Sequence, residues 1–246
     1  MIETPNKRVA LVLGGSGGIG RSVVEKLVDE GYAVGIHYSS NKLKTEKFME
    51  EILAGGGQAI SICGDVADEQ EMNLAFDQME KSFGGIDVVV NTAGIMLLSP
   101  IAELDLDDLD KMHRTNIRGT FVISQLAAKR VRNGGSIINF STSVTRSQFP
   151  NYGAYVASKA AVESMSMILA RELKGKNITV NAVAPGPTAT PLLLNGKDEK
   201  QIQSLANAVP LERLGEPKDI SEAVAFLAGP ARWVNGQVIF VNGGFA

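Results

Sequence analysis

A single cysteine, Cys63, and two histidines, His37 and His113, are the only thiol and imidazole groups in 246 residues. One thiol forms no intramolecular disulfide. Neither histidine has Cys, Asp or Glu at ligand spacing, so no metal site is expected, and His37 reads as a surface residue. Cys63 ends the apolar run Ala59-Ile60-Ser61-Ile62-Cys63 and reads as a small core residue. Long apolar runs are missing too: none approaches the ~20 residues of a membrane span. Residues 1–8 have no signal-peptide layout, so a cytoplasmic protein is expected. No sign of charge dominates. A formal charge of −3 without a basic block argues against nucleic acid or a membrane surface as partner. What is present, 44% apolar and 21% charged residues, is the composition of a globular chain long enough to bury a substantial core.

Short β-rich apolar runs alternate with longer amphipathic stretches. Strands are expected at 8–13, 32–38, 58–63, 86–91, 136–140, 177–184 and 236–241, and helices at 18–30, 41–54, 68–83, 115–132 and 153–175. Gly55-Gly56-Gly57 stops the second helix, and Asn133-Gly134-Gly135 turns the chain into the fifth strand. This alternation predicts an α/β fold, a parallel sheet with helices on both faces, doubly wound through right-handed crossovers. There is no linker or fixed-period repeat, so residues 1–246 read as one domain. Residues 185–217 differ in texture. They are rich in Pro and Gly, with one short helical stretch at 199–207, and suit a substrate lid. Asp105, Asp107, Asp108 and Asp110 read as solvated helix-start charge, and Met165 and Met167 as packing.

The first strand runs into Gly14-Gly15-Ser16-Gly17-Gly18-Ile19-Gly20. Glycines let backbone turn tightly and approach a pyrophosphate with no Cβ in the way. The helix that follows offers free N–H groups and a positive dipole end. The spacing, Gly14 then Gly18-Ile19-Gly20, resembles the signature of the short-chain dehydrogenase/reductase family, compact single-domain branch. That family usually has Thr before the first glycine, where this chain has Leu13. The resemblance implies a Rossmann-like, three-layer sandwich with a seven-stranded sheet in the order 3-2-1-4-5-6-7. It runs from about Lys7 to the end.

Folds that prefer NAD place Asp or Glu after the second strand, on the ribose 2′-hydroxyl. Here that strand ends His37-Tyr38-Ser39-Ser40-Asn41-Lys42, with no acid and several possible phosphate donors, so NADPH is expected over NAD. The stretch is similar to NADP-using naphthol reductases and oxoacyl reductases of the family. By the same resemblance, Asp65-Val66 is the adenine-binding pair and Asn91-Thr92-Ala93-Gly94 the motif after the fourth strand, with Thr92 a departure. Pro185-Gly186-Pro187-Thr188-Ala189-Thr190 resembles the turn that contacts the nicotinamide carboxamide. Val241-Asn242-Gly243-Gly244 carries Asn242 where the family has Asp.

Tyr155 and Lys159 stand i, i+4 on the long helix and share a face. A phenol near pH 10 is a poor acid or base at pH 7, and a nearby ammonium lowers that pKa toward use. Tyr155-Val156-Ala157-Ser158-Lys159 matches the family's active-site motif. The resemblance implies that Lys159 also holds the nicotinamide ribose and that Asn116 ties it to a water chain. A hydroxyl at the end of the fifth strand, Phe140-Ser141-Thr142-Ser143-Val144, would orient the carbonyl. The family's count of thirteen residues before the tyrosine lands on Thr142, and its Ser-Val pattern points to Ser143. The less hindered primary hydroxyl favours Ser143, with Ser141 third.

The expected function is NADPH-dependent reduction of a ketone or aldehyde, with a small-molecule or acyl-carrier carbonyl as substrate and a homotetramer as assembly. The pocket would be lined by Ile95, Met96, Leu97 and Leu98, by 144–152 and by 187–207. An NAD-dependent alcohol or sugar dehydrogenase is disfavoured by the missing acid. A non-catalytic relative is disfavoured by the intact Asn116, Tyr155 and Lys159. An enoyl reductase is disfavoured by the close Tyr155–Lys159 spacing, which that branch widens.

Overall fold

The computed structural model describes residues 7–246. The reading of the first residues as leaderless therefore falls largely outside the described part. Seven parallel strands form one sheet in the order β3-β2-β1-β4-β5-β6-β7. They are β1 (Val9–Leu13), β2 (Ala33–Tyr38), β3 (Gln58–Cys63), β4 (Ile86–Asn91), β5 (Val131–Phe140), β6 (Thr179–Pro185) and β7 (Val238–Val241). The helices are α1 (Gly18–Asp29), α2 (Lys42–Ala54), α3 (Glu69–Phe83), α4 (Leu106–Met112), α5 (Gly119–Arg130), α6 (Val144–Ser147), α7 (Gly153–Glu172), α8 (Pro191–Leu194), α9 (Glu199–Asn207) and α10 (Pro217–Ala228).

Strand β1 shows how the layers arise. All five of its residues are buried. Val9, Leu11 and Leu13 join a core with Met72 and Phe76 of α3, Ile123 of α5 and Leu169 of α7. Ala10 and Val12 join the opposite core, with Val24 and Leu27 of α1, Phe48 of α2 and Val224 of α10. Alternate side chains of one strand thus feed two apolar layers, and only continuous apolar runs satisfy both. The chain crosses the sheet between β3 and β4. The loops after β1 and β4 therefore diverge and leave a crevice at the strands' carboxyl ends.

Several expectations are corrected. Cys63 is exposed, because it is the last residue of β3, the edge strand, which is exposed at both its ends. His37 is 1% exposed, tucked between the glycine loop and the end of β3. The helix expected at 115–132 starts earlier and changes register, its right-handed backbone running on without a break. α4 leads into a π turn, His113–Arg118, before α5 begins. Asp105 caps α4, accepting from the Asp107 N–H, in line with helix-start charge. Asn133-Gly134-Gly135 turns the chain inside β5 rather than before it. Ile86 pairs with Val131 and Val88 with Ser136, so residues 132–135 bulge from the ladder. Helix α10 was not expected. Pro217 sits in its first turn, and the preceding Glu216 forms a reciprocal cap with Asp219.

Candidate active site

The carboxyl ends of the central strands open on a cavity of about 960 Å³. The glycine loop forms one wall. Gly14 and Gly18 hold left-handed backbone at φ 73° and 40°, and a Cβ on Gly20 would stand 2.2 Å from the Gly14 carbonyl oxygen. Helix α1 therefore starts tight against the loop. Its N-cap, Gly17, supplies no side-chain cap, and the first turn holds no acid. Its leading N–H groups are left to an anion. Ser16 and Ile19 line the cavity beside them.

Two polar contacts fix this loop. The Thr92 hydroxyl donates to the Leu13 carbonyl at 2.7 Å. The two departures from the family pattern thus meet, and the hydroxyl missing at position 13 is supplied from the end of β4. His37 accepts from the Gly14 N–H at Nδ1 (3.3 Å) and donates from Nε2 to the Gly64 carbonyl (2.9 Å). Burial pushes its pKa down to about 4, which keeps that neutral form at physiological pH.

Beyond the loop, Tyr38, Ser39, Ser40, Asn41 and Lys44 line the cavity with no carboxylate among them. Lys44 is a residue the sequence reading passed over. Lys42, one of the possible phosphate donors, pairs instead with Glu46 at 3.7 Å and is not part of the cavity lining. Asp65 and Val66 line the cavity as well. Asp65 is ion-paired with Arg114, also unanticipated, and accepts from the Ala67 N–H at 2.9 Å. Those contacts outweigh partial burial and hold its pKa below the usual carboxylate range. The charged residues on the cavity wall are Lys44, Arg114 and Lys159 against Asp65 alone. The cradle and its charge fit a phosphorylated dinucleotide.

Ala93, Gly94, Pro185, Gly186, Thr188 and Thr190 complete the lining as expected. Asn91 and Asn116 do not reach it. Asn91, 3% exposed at the end of β4, donates to the Thr120 hydroxyl at 3.1 Å. Asn116, fully buried on the π turn, grips the backbone of Ile95 twice, accepting from its N–H and donating to its carbonyl, both at 2.9 Å. It also donates to the Ser158 hydroxyl at 3.0 Å. It braces the loop after β4 against α7. A π turn is a common device for re-aiming a side chain at a functional site.

Tyr155 and Lys159 face the cavity from α7, 7% and 5% exposed. The expected lowering of the phenol by the ammonium is not seen. Burial pushes Tyr155 up to about 12, offset in part by the Thr142 hydroxyl facing it. Lys159 Nζ lies 6.0 Å from the phenol ring centroid and donates to the Phe140 carbonyl at 2.8 Å. Burial lowers its pKa to about 8. A Cβ on Gly94 would come within 3.2 Å of Nζ, so the glycine keeps room for that side chain.

The preference for Ser143 is reversed by geometry. Ser143 is fully buried, and its hydroxyl donates to the Ala184 carbonyl at 3.2 Å. Ser141 donates to Glu163 at 2.6 Å. Of the three hydroxyls, Thr142 is the one that acts on the Tyr155 phenol, drawing its pKa down against burial. β-Branching weighs less here than which face of the strand end the residue occupies. Of the four expected apolar residues, Ile95 and Met96 line the cavity. Leu97 packs in a small cluster with Met112 and Tyr155, and Leu98 is 39% exposed. The lid segment contributes Leu192, Leu193 and Leu205. Phe245, which the sequence reading did not single out, lines the cavity with them.

A family model described as enoyl-(acyl carrier protein) reductase matches residues 14–246. A short-chain dehydrogenase from Burkholderia cenocepacia J2315, solved in complex with NADP, superposes with a TM-score of 0.91 at 35% identity, covering 98% of both chains. The chain belongs to the short-chain dehydrogenase/reductase family. Among family members, an NADPH-dependent aldehyde reductase-like protein, chloroplastic, of Arabidopsis thaliana is 41% identical over 97% of this chain and 94% of its own. A 3-oxoacyl-[acyl-carrier-protein] reductase of Staphylococcus aureus is 40% identical over 96% of each. As a short-chain dehydrogenase/reductase the protein is an oxidoreductase. Among its described residues no helix is long and apolar enough to cross a membrane.

Proposed function

We propose that the protein reduces a ketone or aldehyde to the alcohol with NADPH, Tyr155 donating the proton. The observation that carries this reading is that Tyr155, Thr142 and Lys159 meet on one cavity wall, the Thr142 hydroxyl acting on the phenol and the Lys159 ammonium 6.0 Å from its ring centroid. A phenol whose pKa stands near 12 is protonated at neutral pH, the state a proton donor requires. In this reading Thr142 holds the carbonyl oxygen beside the phenol. Lys159, 6.0 Å from the phenol ring centroid, leaves the resting phenol's pKa unlowered; in this reading it offsets the charge that develops on Tyr155 once the bound nucleotide has excluded water from between them. NADPH, when bound, supplies a hydride to the carbonyl carbon. The glycine loop and the start of α1 would hold its pyrophosphate, Ser39, Ser40 and Lys44 its 2′-phosphate, and Lys159 the nicotinamide ribose.

The preference for NADPH is supported by the absence of acid at 38–41, and it agrees with the cofactor named for the Arabidopsis relative and the Burkholderia structure. One domain carries both cofactor and substrate sites in this reading, and the protein works in the cytoplasm as a homotetramer. Phe121 of α5 and Ile168 of α7 are 55% and 56% exposed, and β7 leaves a sheet edge open to a second copy. The test is loss of NADPH absorbance with a panel of aldehydes and ketones. Tyr155→Phe should lower turnover by at least ~10²-fold while the nucleotide still binds. Near-normal turnover in that variant would sink the mechanism.

A further inference from the structure

The carbonyl end of the cavity is walled by rings. Phe245 packs on Phe149 with centroids 5.7 Å apart, Phe149 on Tyr152 at 6.1 Å, and Tyr152 on Tyr155 at 6.5 Å. The series runs from the tail after β7 to the proposed proton donor. The charged groups of the cavity wall lie elsewhere, at the nucleotide end and beneath Tyr155. Leu192, Leu193 and Leu205 roof the space.

The tail that delivers Phe245 is a built hook. Gly243 and Gly244 both hold positive φ, 62° and 88°, so the backbone reverses within two residues. Asn242 organises the reversal with both ends of its amide. Its oxygen accepts from the Gly244 N–H and its nitrogen donates to the Ala246 carbonyl, each at 3.0 Å. The hook rests on the turn after β6, where a Cβ on Gly186 would stand 2.7 Å from Asn242 Cα. An aspartate, acceptor only when ionised, could keep the first bond and not the second. The one departure from the family pattern in this segment is therefore the group that completes the hook.

We propose that Phe245 is a specificity-determining residue that selects carbonyl compounds bearing an aromatic ring, with Asn242 as its positioning residue. The proposal rests on the reductase reading above. A ring laid against Phe149, Tyr152 and Phe245 gains offset or edge contacts, and these rings offer no cation to an anionic substrate such as a keto acid, Lys159 being committed to the Phe140 carbonyl.

The test compares 2-naphthaldehyde with propanal as substrates and titrates 2-naphthol calorimetrically in the presence of NADP+. Phe245→Ala should lower the ratio of kcat/KM for naphthaldehyde over propanal by about two- to twelvefold, the worth of one aromatic pair. The change should lie mainly in KM, and Kd for 2-naphthol should weaken by a similar factor. Phe245→Tyr should restore both, and Asn242→Asp should move both in the direction of Phe245→Ala by less. An unchanged ratio, equal loss on both aldehydes, or 2-naphthol binding that is absent or indifferent to Phe245→Ala overturns the proposal. If the unaltered enzyme reduces neither aldehyde nor any other carbonyl, yet binds 2-naphthol through Phe245, the reductase reading falls and the aromatic compartment stands.

Discussion

The two ends of the cavity are made differently. The nucleotide end is built from backbone: left-handed glycines, the uncapped start of α1 and a loop pinned by Thr92 and His37. The carbonyl end is built from side chains drawn from four separated segments, around Met96, Phe149, Leu192 and Phe245. A backbone cradle depends on residues next to one another in sequence and tolerates few alternatives. A side-chain wall depends on where distant segments meet, and each member can change while the fold persists. That contrast explains how relatives of one family can share a cofactor and differ in the carbonyl they accept.

The sharpest way to break the comparison is at the point where the two ends meet. Thr142→Ala should lower turnover on the order of 10²-fold, the cost of one oxyanion donor, with NADPH affinity little changed. Ser143→Ala should leave turnover near normal and cost about 1 kcal/mol of stability through its lost bond to Ala184. Steady-state kinetics and thermal melts on both variants decide it, and the reverse pattern would restore the residue the sequence favoured.

A pH profile sharpens the electrostatic part. Lys159 is depressed to about 8, so it is charged below that pH and neutral above it. The charge is what stabilises the developing tyrosinate. kcat/KM for reduction should therefore be flat from neutrality to about pH 8 and then fall by roughly tenfold per unit, the slope of one lost proton. A profile level through pH 10 would show that the ammonium is not required.

At the nucleotide end, Ser39→Asp should shift the ratio of NADPH to NADH affinity toward NADH on the order of tenfold, through repulsion of the 2′-phosphate. Equal affinities in the unaltered enzyme would defeat the cofactor assignment. The smallest effect is expected from Thr92→Val, which removes the bond to Leu13 and keeps the shape. A loss of about 0.5–1.5 kcal/mol in stability is anticipated. Leu13→Thr in that background should recover part of it if the hydroxyl can be supplied from either strand.

Much was determined by the sequence alone. The strand order came only with the family resemblance; the succession of strands and helices, the glycine loop, the Tyr155–Lys159 spacing and the lack of an acid after β2 are local patterns of period, spacing and residue type, and local sterics enforce them wherever the chain folds. The helix at 199–207 was legible for the same reason, since Asp198 and Gln201 cap it reciprocally. Helix α10 carried an equally local signal in Glu216, Pro217 and Asp219 that went unread. Other features only the tertiary structure decided. Three consecutive hydroxyls end β5, and which of them meets Tyr155 depends on how α7 and β6 close over the strand end. His37 is buried because Gly14 and Gly64, far apart in sequence, present an N–H and a carbonyl to its two ring nitrogens. Phe245 belongs to the substrate wall because the hook after β7 folds it back against Phe149. Each of these is a contact between segments remote along the chain, whose meeting is set by packing the whole sheet and its helices rather than by any local preference.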